Sequence, residues 1–384
     1  MPDHNNNHLH MNEDDSDRKP NKYIVMAILA ISILGLFLVA PKSLNKDIFR
    51  GKIIQIKEER IEDSVAGIKI KVQDLLVAIT IDGEKKEFSV INDFTPVKVG
   101  DKVFMKSSLF GDDQTFEIID LSREKGIIIL TALFIFLVII TAGWKGFYSL
   151  IGLIFSLAVI IAFIVPMILK GYNPVTVGIT GSILILLGTL YLSYGLHKKS
   201  ISALIGITAT LLFVGLLSNF TVQILRFTGF ANEGALFLNM EAGNPINVVG
   251  LLMAGIIIAA IGVLDDVAVT QASTVFNISS INPSLSKINL FKKAMIVGKD
   301  HISAVINTLV LAYVGASLPL ILLLSLRNMP IDYFVSFEMV SEEIVRTLIA
   351  SSGLLLAVPL TTAIAVFFCK YKYKNRGLKN KILT

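Results

Sequence analysis

One cysteine, one tryptophan and five histidines occur in 384 residues, and only 17% of the chain is charged. The lone cysteine, Cys369, excludes an internal disulfide framework and a multi-cysteine metal site. A soluble domain carries roughly a quarter charged residues. The shortfall here, beside 53% hydrophobic residues, excludes an ordinary soluble domain. No GxSxG elbow, HExxH pair or Walker loop is present, so the common hydrolase, metallopeptidase and NTPase signatures are absent. The net charge of +5 is not a nucleic-acid signal, because Lys and Arg sit at the ends of apolar runs, where membrane topology accounts for them. No cofactor, no metal and no nucleic-acid partner is expected.

Long apolar runs are what the chain has in place of these features. Mean hydropathy is +0.69, and runs of about 18 residues or more recur, each able to cross a hydrocarbon core about 30 Å thick. They lie near 23–40, 125–143, 147–169, 174–194, 200–218, 246–268, 303–326 and 344–368. The expected fold is an all-α polytopic membrane bundle of about eight helices with a small extracytoplasmic β-barrel-like domain. Residues 1–22 read as a polar tail, in which His4, His8 and His10 are solvated rather than metal-bound. Residues 23–40 read as an uncleaved anchor helix and 369–384 as a basic tail.

Between 41 and 124 the pattern changes. "GKIIQIKEERI", "GIKIKVQDLLVAITI", "KEFSVI" and "DKVFMKS" are short β-branched runs, several of period two. Asp82-Gly83 is a hairpin signal, and Val99-Gly100-Asp101 reads as a turn. About five strands in this length suit a small OB-like barrel. Residues 125–368 then form a seven-helix membrane domain. Lys145, His197-Lys198-Lys199, the lysines of 287–299 and the tail fall on one side of the bilayer. The positive-inside rule places both termini in the cytoplasm and the β domain outside.

Asp265 and Asp266 interrupt an apolar run, and each costs at least ~2.5 kcal/mol there on insertion scales. Adjacent carboxylates in a low-dielectric surrounding resist being charged together, which suits proton uptake. Gly255, Ala259, Gly262, Asp266, Thr270 and Ser273 share one helical stripe. Its small upper part predicts close approach of another helix, and its polar lower part suits a cavity. The seventh span is the expected neighbour, with Asn307 or Ser303 in reach of Asp266 and His301 near the cytoplasmic mouth. The segment before it, with Leu285, Ile288, Phe291 and Met295 against lysines, predicts an interfacial helix. Glu342 and Arg346 are spaced for an i, i+4 ion pair. Pro359 frees a backbone carbonyl inside the eighth span, and Pro319 does the same near the end of the seventh.

"GFANEGALFLN", "LMAGIIIAAIGVLDDVAVTQAS", "KDHISAVINTLVLAYVGASLPL" and "EEIVRTLIASSGLLLAVPLTTAIAV" resemble the YibE/F-like family of bacterial membrane proteins over roughly residues 125–368. Gly234 stands where the resemblance leads one to expect a second acid after Glu233. The family implies a multispan protein of the bacterial cytoplasmic membrane and no particular activity. The Asp-Asp helix, the basic stretch and "AVINTLVLAYVGASLPL" are also similar to the central helices of RND-type transporters, whose proton relay uses an Asp pair. This chain differs in its extra spans, its single small outer domain and the absence of a second half. "EEIVR" is one residue short of the EExxxR of intramembrane proteases, and Val269 stands where a DDxxD site has its third acid. A proton- or ion-coupled transporter or transporter subunit is therefore expected. An accessory protein with a partner-binding outer domain and an enzyme acting on a lipid-linked substrate are the alternatives. Expected partners are the lipid bilayer and a second membrane subunit or a second copy.

Overall fold

A computed structural model describes residues 21–39, 47–63, 67, 69–81, 83–110, 113–195, 197–241, 246–326 and 329–369. His4, His8 and His10 and the basic tail beyond Cys369 lie outside the described residues. The chain divides into two compact units, Val39–Gly146 and Met1–Leu38 with Phe147–Thr384.

The first unit is built on a five-stranded antiparallel sheet. Its strands are β1 (Ile48–Asp63), β2 (Lys69–Ile81), β3 (Glu84–Asn92), β4 (Lys102–Phe110) and β5 (Asp113–Leu121), in the order β3-β2-β1-β4-β5. The period-two pattern puts Leu75, Val77 and Ile79 of β2 on one face, where they bury with Ile53, Val103 and Met105. Ile81 pairs with Glu84, on either side of the Asp-Gly signal in the sequence. The sheet curls, because Phe88 of β3 stacks on Phe116 of β5 with ring centroids 4.3 Å apart. No backbone ladder joins those two edge strands among the described residues.

One buried amide ties a loop to this core. Gln73 of β2 donates to Val97 O at 3.0 Å and accepts from Val97 N at 2.7 Å. Asn92 donates to both Gln73 Oε1 and Thr95 O. The backbone N–H and C=O of Val97 and the C=O of Thr95 are thus paired, as burial requires. Glu124, at the start of the next helix, meets Arg50 of β1 at 3.0 Å, and the helix as far as Gly146 groups with the sheet.

The helices are α1 (Lys22–Val39), α2 (Glu124–Val159), α3 (Val165–Leu169), α4 (Pro174–Tyr194), α5 (Lys198–Leu225), α6 (Glu233–Glu241), α7 (Val248–Ile281), α8 (Lys287–Ala316), α9 (Leu318–Leu326), α10 (Ile331–Ser336) and α11 (Glu338–Phe368). A π-helical turn over Ile160–Ile164 joins α2 to α3. Side-chain caps start several of them. Asn173 accepts from Val175 N and Thr176 N ahead of Pro174, Asn247 from Gly250 N, and Ser286 from Asn289 N.

Six helical stretches among the described residues are long and apolar enough to cross a membrane: Glu124–Leu169, Pro174–Tyr194, Lys198–Leu225, Val248–Ile281, Lys287–Ala316 and Glu338–Phe368. The expected spans at 125–143 and 147–169 fall in the first of these, which is 46 residues long. At 1.5 Å per residue such a helix would run about 69 Å, over twice the hydrocarbon thickness. It is interrupted at Gly143, whose φ of 55° and ψ of −137° leave the helical region, a conformation glycine adopts at little cost.

The seventh expected span also differs. The amphipathic stretch from Lys287 is not a separate interfacial helix but the first half of the continuous α8. This helix ends at Ala316, before Pro319, which then sits in the first turn of α9, where its missing N–H costs nothing. Pro359 lies inside an unbroken α11.

In the helical unit α5, α7 and α11 form the centre, and Ile207, Leu211, Ile256, Ile257, Leu264 and Leu354 have no exposed surface or almost none. Paired contacts give the helix directions. Gly206 abuts Thr361 and Gly353 abuts Val214, so α5 and α11 are antiparallel. Leu264 lies at Gly353 and Gln271 at Thr362, so α7 and α11 are parallel.

The sheet's enclosed apolar core predicts that residues 48–122 expressed alone give a β-type circular dichroism spectrum and melt cooperatively. Gln73→Leu in that fragment removes the clamp on the 93–97 loop and should cost about 2 kcal/mol, read as a lowered melting temperature.

Candidate functional site

The two aspartates of α7 diverge by about 100° around the helix axis, and the structure treats them differently. Asp265 turns toward α4. Its Oδ2 accepts a hydrogen bond from Thr189 Oγ1 at 3.1 Å. Its Oδ1 is buried with no partner. Asp266 is exposed, as are Gly255, Gly262 and Thr270 on the same stripe, with Ala259 and Ser273 half-buried.

This corrects the expectation for the stripe. It is not the packed face of α7 but the open one, and a side chain added at Gly255 or Gly262 meets nothing within 4 Å. The helix buries its other faces, through Ala260, Leu264, Ala268 and Ala272. The inward carboxylate is therefore Asp265.

The register that brings Thr189 to Asp265 comes from a contact three turns earlier. Gly178 of α4 lies against Ala254 of α7, with 3.1 Å from a Cβ built on the glycine to the alanine Cβ. Gly178 to Thr189 and Ala254 to Asp265 are both eleven-residue steps, so the helices run in the same direction and stay in step.

The expected polar neighbours from α8 do not reach Asp266. Gly298, Leu309 and Ala294 carry the packed face of α8. Asn307 and Ser303 point away from it and are exposed, and His301 is half-buried. The Glu342–Arg346 pair is corrected as well. Arg346 bonds Glu343 at 2.5 Å, an i, i+3 pair. Glu342 instead faces the packed side of α11 with Val345 and Ile349 and is only 6% exposed. Helical spacing allows Arg346 either partner, and burial against the bundle takes Glu342.

Several polar residues that the sequence reading passed over hold the bundle together. Gln271, five residues beyond Asp266, is 3% exposed. It donates to Ala294 O of α8 at 3.0 Å and to Thr362 Oγ1 of α11 at 2.7 Å, joining three helices. Its signal was its presence in an apolar run, where an amide must find a partner helix. Ser202, Gly206, Thr210, Val214 and Ser218 recur every four residues along α5 and are all buried. Ser351, Thr361 and Thr362 bury on α11. Together these residues form a small and hydroxyl-rich seam. The Ser218, Ser351 and Thr361 hydroxyls within it lack partners.

A separate cleft of about 280 Å³ opens between α8, α9, α10 and α11, lined by Tyr313, Phe334, Glu343 and Thr347 among apolar side chains. It lies apart from Asp265. No group of three or more His, Cys, Asp or Glu among the described residues could hold a metal ion.

A unit of long apolar helices with an inward-turned carboxylate and a hydroxyl-lined seam, in a chain that also carries a small antiparallel sheet, defines a polytopic membrane-type α-helical protein. The model of the YibE/F-like protein family matches residues 130–371, more than half of the chain, and the protein belongs to that family. No curated protein and no solved structure matches the chain.

Two glycines separate packing from openness. Gly206→Leu places a side chain where Thr361 already sits and should abolish the yield of folded protein in detergent. Gly262→Leu meets no neighbour and should leave stability within about 0.5 kcal/mol of wild type. Size-exclusion recovery and thermal melting of the two variants check this.

Proposed function

We propose that the chain is a proton- or ion-coupled transporter of the bacterial cytoplasmic membrane, or a subunit of one, with Asp265 as its coupling carboxylate. The observation that carries this reading is the environment of Asp265. One oxygen takes the Thr189 hydroxyl, and the other is buried and unpaired in the middle of an apolar helix. A carboxylate that costs insertion energy and makes one hydrogen bond is poor structural glue. It is well placed to accept a proton when Oδ1 gains access to water. Asp266 on the open face gives that proton or ion an approach. Thr189 would hold the ionised form in position.

The topology proposed is eight spans with both termini inside and the sheet domain outside. Helix direction supports the count. Gly35 of α1 lies at Ala162 and Val25 in a cluster with Ile151, so α1 runs parallel to the helix after Gly143. The chain must return across the membrane between them, and the apolar stretch before Gly143 is long enough to do so. Curling of the sheet through Phe88 and Phe116 supports an OB-like barrel. Exposed Ile91, Phe94 and Val99 favour partner binding by that domain as a second reading.

Asp265→Asn keeps shape and removes titration. It should abolish pH-gradient-driven transport or complementation of a deletion while expression stays near normal. Full complementation by Asp265→Asn ends the coupling reading. Orientation is checked with Cys369 replaced by serine. Gly83→Cys should react with an impermeant thiol reagent in intact cells and Ser284→Cys, on the exposed α7–α8 connector, should not.

A further inference from the structure

We propose that Glu342 is a second proton-binding site of the helical unit, a neutral carboxylic acid about three helical turns from the level of Asp265. The inference rests on the coupling reading only for its role in transport; the protonation state follows from the geometry.

Glu342 is 6% exposed, and its Oε1 is buried with no hydrogen-bond partner. One turn earlier on the same face, Glu338 has the opposite surroundings. Its Oε1 accepts from Thr228 N at 2.5 Å, Thr228 Oγ1 at 2.8 Å and Gly229 N at 3.2 Å. Two charged acids one turn apart repel only weakly at a helix surface, and burial of one of them decides which stays neutral. Glu338, with three donors, holds the charge. Glu342, with no donor among the described residues, is left to carry the proton, because an unpaired ionised carboxylate in such a place is costlier than a neutral acid.

The remaining charges do not reverse this. Glu338, Arg346 and Glu343 act on Glu342 from its own helix. Arg346 is committed to Glu343 at 2.5 Å. From α8, Tyr313 faces Arg346 and Glu343. No cation pairs with Glu342 among the described residues.

The hydroxyl-rich seam spans the levels between Glu342 and Asp265, while Asp265 itself turns toward α4. Gly353 touches Leu264, so Asp265 lies near the level of Gly353. Glu342 sits eleven residues before that level, on the order of 16 Å along the parallel helices. Between the two levels lie the partnerless hydroxyls of Ser218 and Ser351. A hydroxyl both donates and accepts, so hydroxyls together with entering water can pass a proton where an apolar wall cannot.

The first measurement is the infrared difference between wild-type protein and Glu342→Gln at pH 7. A protonated-carboxyl C=O band should be present in the wild type and lost in the variant, while Asp265→Asn retains it. An unchanged spectrum overturns the proposal. If Glu342→Gln does not fold, wild-type protein is treated with dicyclohexylcarbodiimide. The O–H of a protonated acid adds across one C=N bond of this reagent, and the adduct rearranges to a stable N-acylurea. Mass spectrometry should find the adduct on Glu342 ahead of Glu343 and Glu338, forming more slowly as pH rises. A Glu342 peptide without adduct overturns the proposal. If Asp265→Asn transports normally while the Glu342 band is present, the coupling reading fails and the proton site stands.

Discussion

The close approach of α5 and α11 is the contact on which the helical unit depends. Lipid offers helices no hydrophobic reason to associate, so association rests on van der Waals fit and on polar groups that find partners. Gly206 lets the Thr361 backbone in, and Gly353 makes room for the Val214 side chain on the opposite helix. With those two axes drawn together, α7 lies against both, and Leu264 and Leu354 are completely enclosed. The amide of Gln271 can then span from α7 to Ala294 and Thr362. Elsewhere on α7, the Gly178–Ala254 contact puts Thr189 beside Asp265. Each polar contact of the site follows from an approach of small residues some turns away.

The same close packing explains why hydroxyls outnumber charges inside. Serine and threonine can satisfy themselves on the carbonyl one turn back, as Thr210 does on Gly206 O and Thr362 on Val358 O. They therefore tolerate burial without a partner helix. Carboxylates have no such recourse, and in the helical unit Asp265 and Glu342, among the described residues, each keep one buried oxygen without a partner. They mark the places where the bundle is polar beyond what its assembly requires.

Much of this was legible in the residues. Alternation in β2 and the Asp82-Gly83 loop announce the sheet, because a period of two and a two-residue turn leave little choice of structure. Asp265 and Asp266 announce themselves by cost. Which of them faces inward was not legible. A stripe of glycine and alanine permits a tight helix contact but does not require one, and the face used is decided by Gly178 on a helix some 75 residues earlier. The Glu342–Arg346 spacing misled for a related reason: two acids stood within reach of one arginine, and only packing against the bundle selects between them. Gln271 is less conspicuous in the sequence, because an amide in an apolar run costs less than a charge, although hydrocarbon penalises both.

Consecutive aspartates on one helix have a mechanical consequence. Sliding α7 along its axis keeps Asp265 on the α4 side and Asp266 on the open side, however far it travels. Turning it by about 100° presents Asp266 to Thr189 and carries Asp265 away from α4. The pair is thus sensitive to rotation and blind to translation.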